Sequence, residues 1–159
     1  MVKVLVTYYS RGGTTKSMAE LVAEGARAVG GVEVELKPVA EVTVDSLLGY
    51  QGYVVGSPTY YGLMAAEIKR LFDDSVKLHG KLEGRVGAAF SSAANIGGGN
   101  ETTILSILQA MLIHGMIVPG AAHGDHYGPV SVGRPDKRVT DQCRALGRRV
   151  AELTKKLFA

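Results

Sequence analysis

The chain opens with an apolar run, Val2 to Val6. It continues through Thr7-Tyr8-Tyr9-Ser10-Arg11-Gly12-Gly13-Thr14-Thr15 into an amphipathic helical pattern. A buried strand that passes through glycines and hydroxyls into a helix is the geometry that holds a phosphate. The first amides of a helix have no acceptor inside it, and the aligned peptide dipoles put partial positive charge at the same place. Gly12 and Gly13 let the backbone approach an anion, while Ser10, Thr14 and Thr15 add hydroxyl donors. The loop lacks the Gly-Lys-[Ser/Thr] ending of a Walker loop and the G-x-G-x-x-G spacing of a dinucleotide fingerprint.

Strand and helix patterns then alternate. Apolar spacing predicts strands over 2–8, 32–36, 53–56, 85–91 and 116–119. It predicts helices over 15–29, 64–76, 101–114 and 138–158, with a short helical piece at 45–49. Met18, Val22, Ala26 and Val29 form the inner face of the first helix; Ile68, Leu71, Phe72 and Val76 form that of the second. A long loop is expected over 120–137. Five strands with intervening helices imply an α/β chain, a parallel sheet covered on both faces. Right-handed crossovers leave few topologies, of which the flavodoxin-like order 2-1-3-4-5, a three-layer sandwich, is preferred. Ligands of such sheets bind beside the carboxyl ends of the strands.

With 159 residues and no linker or internal repeat, the expectation is one domain over 1–159. The formal net charge is only +3. Arg144, Arg148, Arg149, Lys155 and Lys156 read as a solvated helix face, so nucleic acid is not an expected partner. No apolar run approaches the roughly 18 residues that would span a bilayer. The single cysteine, Cys143, excludes an intrachain disulfide and sits on the apolar stripe of the last helix. With no leader pattern, a cytoplasmic location is expected. His123 and His126 have only Asp125 as carboxylate support, so no metal is expected, and without a G-x-S-x-G elbow serine hydrolase chemistry is unsupported.

Two further loops should meet the phosphate loop at the same edge. Ser57-Pro58-Thr59-Tyr60-Tyr61-Gly62 offers aromatic rings to a flat ligand and a glycine for the sharp return. Ser91-Ser92-Ala93-Ala94-Asn95-Ile96-Gly97-Gly98-Gly99 exposes backbone amides and carbonyls to a planar, hydrogen-bonding edge. Phosphate, flat ring and polar ring edge together describe flavin mononucleotide (FMN).

On these residues the chain resembles the flavodoxin superfamily, and most the WrbA-type NAD(P)H:quinone oxidoreductases and short flavodoxin-like proteins close to them. The likeness is carried by Ser57-Pro-Thr-Tyr-Tyr-Gly, by Phe90-Ser-Ser with the triple glycine, and by His114-Gly-Met. It implies non-covalent FMN. Ser10, Arg11, Gly12, Gly13, Thr14 and Thr15 would lie at the phosphate. Pro58, Thr59, Tyr60, Tyr61 and Gly62 would flank the ring, and Ser91, Ser92, Ala93, Asn95, Gly97, Gly98 and Gly99 would line its polar edge. His114 matches a histidine near the flavin in WrbA-like proteins, though a helix-end cap is its alternative reading. His126 and Tyr127 fall in the family's last active-site loop. The chain departs from the pattern at Gly12, where flavodoxins commonly carry a hydroxyl residue. It is also shorter than usual for WrbA-like enzymes.

The resemblance implies an FMN-dependent oxidoreductase that takes a hydride from NAD(P)H and passes two electrons to a quinone-like acceptor. His114, His126 and Tyr127 would deliver protons or orient that acceptor. The alternatives are a flavodoxin-type electron carrier, which the basic charge balance disfavours, and a non-enzymatic binding module on the same scaffold. Residues 101–114 place Ile104, Leu105, Ile107, Leu108, Met111, Leu112 and Ile113 in nearly every direction. A helix lying on a sheet needs one apolar face, so the outer face is expected to bury against another copy in a dimer or tetramer.

Overall fold

The computed structural model describes residues 1–159. β1 (Val2–Tyr8), β2 (Val32–Pro38), β3 (Gly52–Pro58), β4 (Val86–Ala93) and β5 (Val130–Val132) form one parallel sheet in the order β2-β1-β3-β4-β5. α1 (Thr14–Arg27) and α4 (Lys137–Phe158) cover one face. α2 (Ala66–Asp74) and α3 (Asn100–Ile113) cover the other. This is the flavodoxin-like three-layer sandwich that the alternating pattern implied.

Strand alternation sorts β1 between two cores. Val4 and Val6 pack with Met18, Val22, Cys143 and Leu146 under α1 and α4, whereas Leu5 joins Ile68, Ile104, Ile107 and Met111 under α2 and α3. Helices α1 and α4 come together through two glycines. A Cβ on Gly25 would stand 2.1 Å from the Arg144 carbonyl oxygen, and one on Gly147 would stand 1.9 Å from that of Val22. Only glycine permits that contact.

Several boundaries differ from expectation. The first helix stops at Arg27, so Val29 lies beyond it, and residues 45–49 form a 3-10 turn. α2 ends at Asp74. Val76 lies in the 3-10 turn that follows, Ser75–Leu78, and is 73% exposed rather than inward. The fifth strand is not the 116–119 segment. That stretch meets the sheet at one bridge, Val86 with Ile117, and the chain then leaves before returning as β5 beside Ser91–Ala93. A continuous strand would have paired along all of β4. Instead the excursion tucks Gly128 against the Ala89 carbonyl oxygen, and Ser91 donates its amide to the Pro129 carbonyl.

Candidate functional site

The loops that follow β1, β3 and β4 meet at the carboxyl edge of the sheet, tied by side-chain bonds. Thr15 Oγ1 lies 2.9 Å from Ser92 Oγ, joining the first loop to the third. Thr59 donates its amide to the Ser92 carbonyl at 2.7 Å, and its hydroxyl lies 3.0 Å from Ser91 Oγ, joining the second to the third. Thr103 Oγ1, in the first turn of α3, bonds Thr59 Oγ1 at 3.1 Å.

In the first loop Gly13 adopts φ +97 and donates its amide to Ser10 Oγ. The amides of Thr14, Thr15 and Lys16 find no acceptor in the chain. Unpaired amides at the positive end of a 14-residue helix, ringed by hydroxyls, suit a phosphate monoester. Arg11 is exposed and borders a cleft of about 970 Å³, shared with Ser10, Gly13, Lys16 and Arg70.

In the second loop Tyr60 and Leu63 exchange backbone hydrogen bonds across Tyr61 (φ 49) and Gly62 (φ 77), so both central residues of the turn are left-handed. A tyrosine in that conformation is strained, and such strain collects at functional turns. Tyr61 is fully exposed, whereas Tyr60 sets its ring edge-on to Tyr9 with centroids 6.3 Å apart. Pro58 ends β3. Ser57 Oγ accepts the Ala65 amide at 2.8 Å and so closes the base of the loop.

The third loop leaves β4 at Ala93. Within it the amides of Ala94, Asn95, Ile96 and Gly97 are unpaired, the donor row that the polar edge of a flavin ring requires. Gly98 donates its amide to the Asn95 carbonyl, and Gly99 adopts φ +110. A Cβ on Gly99 would lie 2.8 Å from Gly62 Cα, so the second and third loops touch at a point with room only for glycine. A phosphate cradle, an aromatic turn and a row of free amides on one edge fit FMN. Ser10, Gly13, Thr14 and Thr15 would take its phosphate, and the 58–62 and 91–99 segments its ring.

Of the three expected acid–base residues, His114 lies away from these loops. His114 caps the far end of α3, beside Gly115, whose carbonyl accepts the Gly84 amide just before β4 begins. That is the opposite edge of the sheet, because α3 runs back antiparallel to the strands. Ser75 gives its one proton to the Phe72 carbonyl at 2.6 Å, so it accepts from His114 Nε2 at 2.7 Å. His114 Nδ1 is buried without a partner, and burial, reinforced by His79, holds the imidazole below its ordinary value. The helix-end reading of His114 is the one its surroundings match within this chain. His126 bonds only the Ala121 carbonyl of its own loop, and Tyr127 projects from the same excursion beside β5. Neither is hydrogen-bonded to the three loops.

Tyr9, Ser57 and Thr103 have no individual role legible in the sequence. Tyr9 follows a buried strand without a break, and Thr103 is hidden in an apolar helix, so neither interrupts a pattern. The chain has no group of three or more His, Cys, Asp or Glu side chains placed to hold a metal ion, and no helix long and apolar enough to cross a membrane.

Residues 6–129 match the flavodoxin family model. A protein named flavodoxin from Aquifex aeolicus is 47% identical over 160 residues, covering 96% of this chain and 86% of that one. A protein named NAD(P)H dehydrogenase (quinone) from Archaeoglobus fulgidus is 34% identical over 191 residues, covering 99% of this chain and 100% of its own length. The crystal structure of a flavodoxin, WrbA-like protein from Agrobacterium tumefaciens superposes with a TM-score of 0.82 at 24% identity, covering 98% of this chain and 99% of the other.

Proposed function

The chain belongs to the flavodoxin family, and from that premise we propose that it binds FMN and passes electrons from NAD(P)H through it to a quinone-like acceptor. The observation that carries FMN binding is the set of unpaired amides at Thr14–Lys16 and Ala94–Gly97, brought to one edge with the turn at Tyr60–Gly62. When bound, the flavin supplies the redox chemistry, and the protein supplies position and electrostatics. The α1 terminus and the hydroxyls of Ser10, Thr14 and Thr15 hold the phosphate. The 94–97 amides donate to the polar ring edge and oppose negative charge gathering there. Thr59, Tyr60 and Gly62 set the opposite wall and keep water from it. No histidine or carboxylate of this chain is assigned a proton transfer.

The quinone reductase reading is supported by full-length relatives of that name. The electron-carrier reading is favoured by the 47% identity to a protein named flavodoxin and by the placement of His114 at the far edge of the sheet. One preparation separates them. The purified chain, loaded with FMN, is mixed with NADH or NADPH and a benzoquinone. Sustained nucleotide oxidation establishes the reductase. No turnover, with a chemical titration that resolves two one-electron steps, establishes the carrier. A protein that stays colourless and quenches no added FMN refutes both and leaves a binding module.

The outer surface of α3 supports self-association. Leu112 is 60% and Ile113 72% exposed at its far end, with Ile117 adjoining. Sedimentation of a monomer at micromolar concentration would refute that part.

A further inference from the structure

The phosphate loop has an opening that the rest of the loop does not fill. A phosphate monoester carries nearly two negative charges at neutral pH, whereas a helix terminus supplies about half a positive one. Gly12 adds no side chain, and nothing lies within 4 Å of a Cβ built there.

From that opening a groove of about 570 Å³ runs past Gly12, Gly13, Thr14 and Ser17 to Arg134, in the connection between β5 and α4. The nearby arginines are committed. Arg138 is paired with Asp125 and bonds the Val130 carbonyl, while Arg144 is paired with Glu24. Arg134 makes no ion pair and no side-chain hydrogen bond. Its mounting is firm. Ser131 bonds the Gly133 carbonyl on one side, and Asp136 accepts the Val139 amide at 2.8 Å on the other, capping α4. Glu20 borders the same groove without a cationic partner, and Arg134 also borders a second cleft with Glu101 and Asp136.

We propose that Arg134 is a further cofactor-binding residue, reaching across the groove to the FMN phosphate and standing in for the side-chain donor that Gly12 lacks. This rests on the FMN reading above. A guanidinium offers a fork of donors matched to phosphate oxygens. Arg134 therefore acts on the phosphate and not on the ring, and this gives it a signature. Riboflavin has the same ring and no phosphate.

The test is a fluorescence-quenching titration of the full chain, freed of flavin, with FMN and with riboflavin at low and at high salt. Arg134→Gln should weaken FMN by about tenfold at low salt, less at high salt, and leave riboflavin unchanged. Arg134→Lys should restore part of the loss. Glu20→Gln should tighten FMN by roughly twofold. Equal losses for FMN and riboflavin would show a structural role and overturn the proposal, as would an unchanged FMN affinity. Wild-type protein that binds neither flavin overturns the FMN reading itself, a result distinct from both.

Discussion

Gly99→Ala tests the geometry on which the ring site depends. At φ +110 an alanine lies well outside the left-handed well that non-glycine residues visit. Its Cβ would stand 2.8 Å from Gly62 Cα, 3.1 Å from Thr102 Oγ1 and 3.2 Å from Thr59 Cγ2. The hydroxyl can rotate away, but the Gly62 backbone cannot move without opening the Tyr60–Leu63 turn. Backbone strain of about 1–3 kcal/mol is expected, together with the loss of Thr102 as a brace. That hydroxyl lies 2.6 Å from the Gly62 carbonyl and 2.9 Å from the Gly99 carbonyl. For a chain of this size each kcal/mol lowers Tm by about 2–4 °C, so a drop of about 2–12 °C should appear by calorimetry. Separating the two loops should weaken FMN at least about tenfold, since 1.4 kcal/mol is one decade. Riboflavin should weaken equally, because the damage is at the ring and not at the phosphate. Unchanged affinity beside a lowered Tm would show that contact between these loops does not shape the ring site. An unchanged Tm would refute the close approach itself.

Three further outcomes follow from local chemistry. His114 has a folded value held below 6.5 by burial, so below that pH the unfolded chain takes up a proton that the folded one resists. Its share of stability is therefore lost as pH falls through the unfolded value. Urea midpoints between pH 7 and pH 5 should decline less steeply in His114→Gln, and parallel declines would refute this. Tyr61→Asn should stabilise the flavin-free protein by about 0.5 kcal/mol, because asparagine tolerates φ 49 and no buried surface is lost; a lower unfolding midpoint would refute the strain. Cys143 is buried and its thiol is pushed up to about 12, so iodoacetamide at pH 8 should label it only in urea. Labelling of the native protein would contradict its place in the α1–α4 core.

The sheet was readable because a buried parallel strand is a run of apolar residues with punctuation at both ends. Val2–Val6 and Tyr53-Val-Val are such runs, and the glycines and hydroxyls after them marked the edge where the loops meet. Histidines carry no such punctuation. His114 follows an apolar helix in the same way whether it caps that helix or faces a ligand. Only the direction of α3, back along the sheet, and the single proton of Ser75 assign it to the far edge. Tyr60 and Tyr61 are adjacent and alike in sequence, yet one packs edge-on against Tyr9 and the other stands free, because the left-handed turn points them apart.

The fifth strand shows why a groove-lining residue escapes a periodic reading. Ile117 and its neighbours carry more apolar signal than Val130-Ser131-Val132, which has three residues between Pro129 and Gly133 and no room to show alternation. Pairing is nevertheless decided by register. Ser91–Ala93 form the upper end of β4, and only a segment that reaches that height can extend the sheet to the edge where the loops lie. The chain therefore leaves after Ile117 and comes back at 130. That return delivers Arg134 and Pro135 to the groove beside Gly12. The one unpaired arginine at the groove by Gly12 thus comes from the segment whose structure was hardest to read. A residue that faces a groove and not the core is released from the core's periodicity, and the same release removes the signal by which its position would have been found.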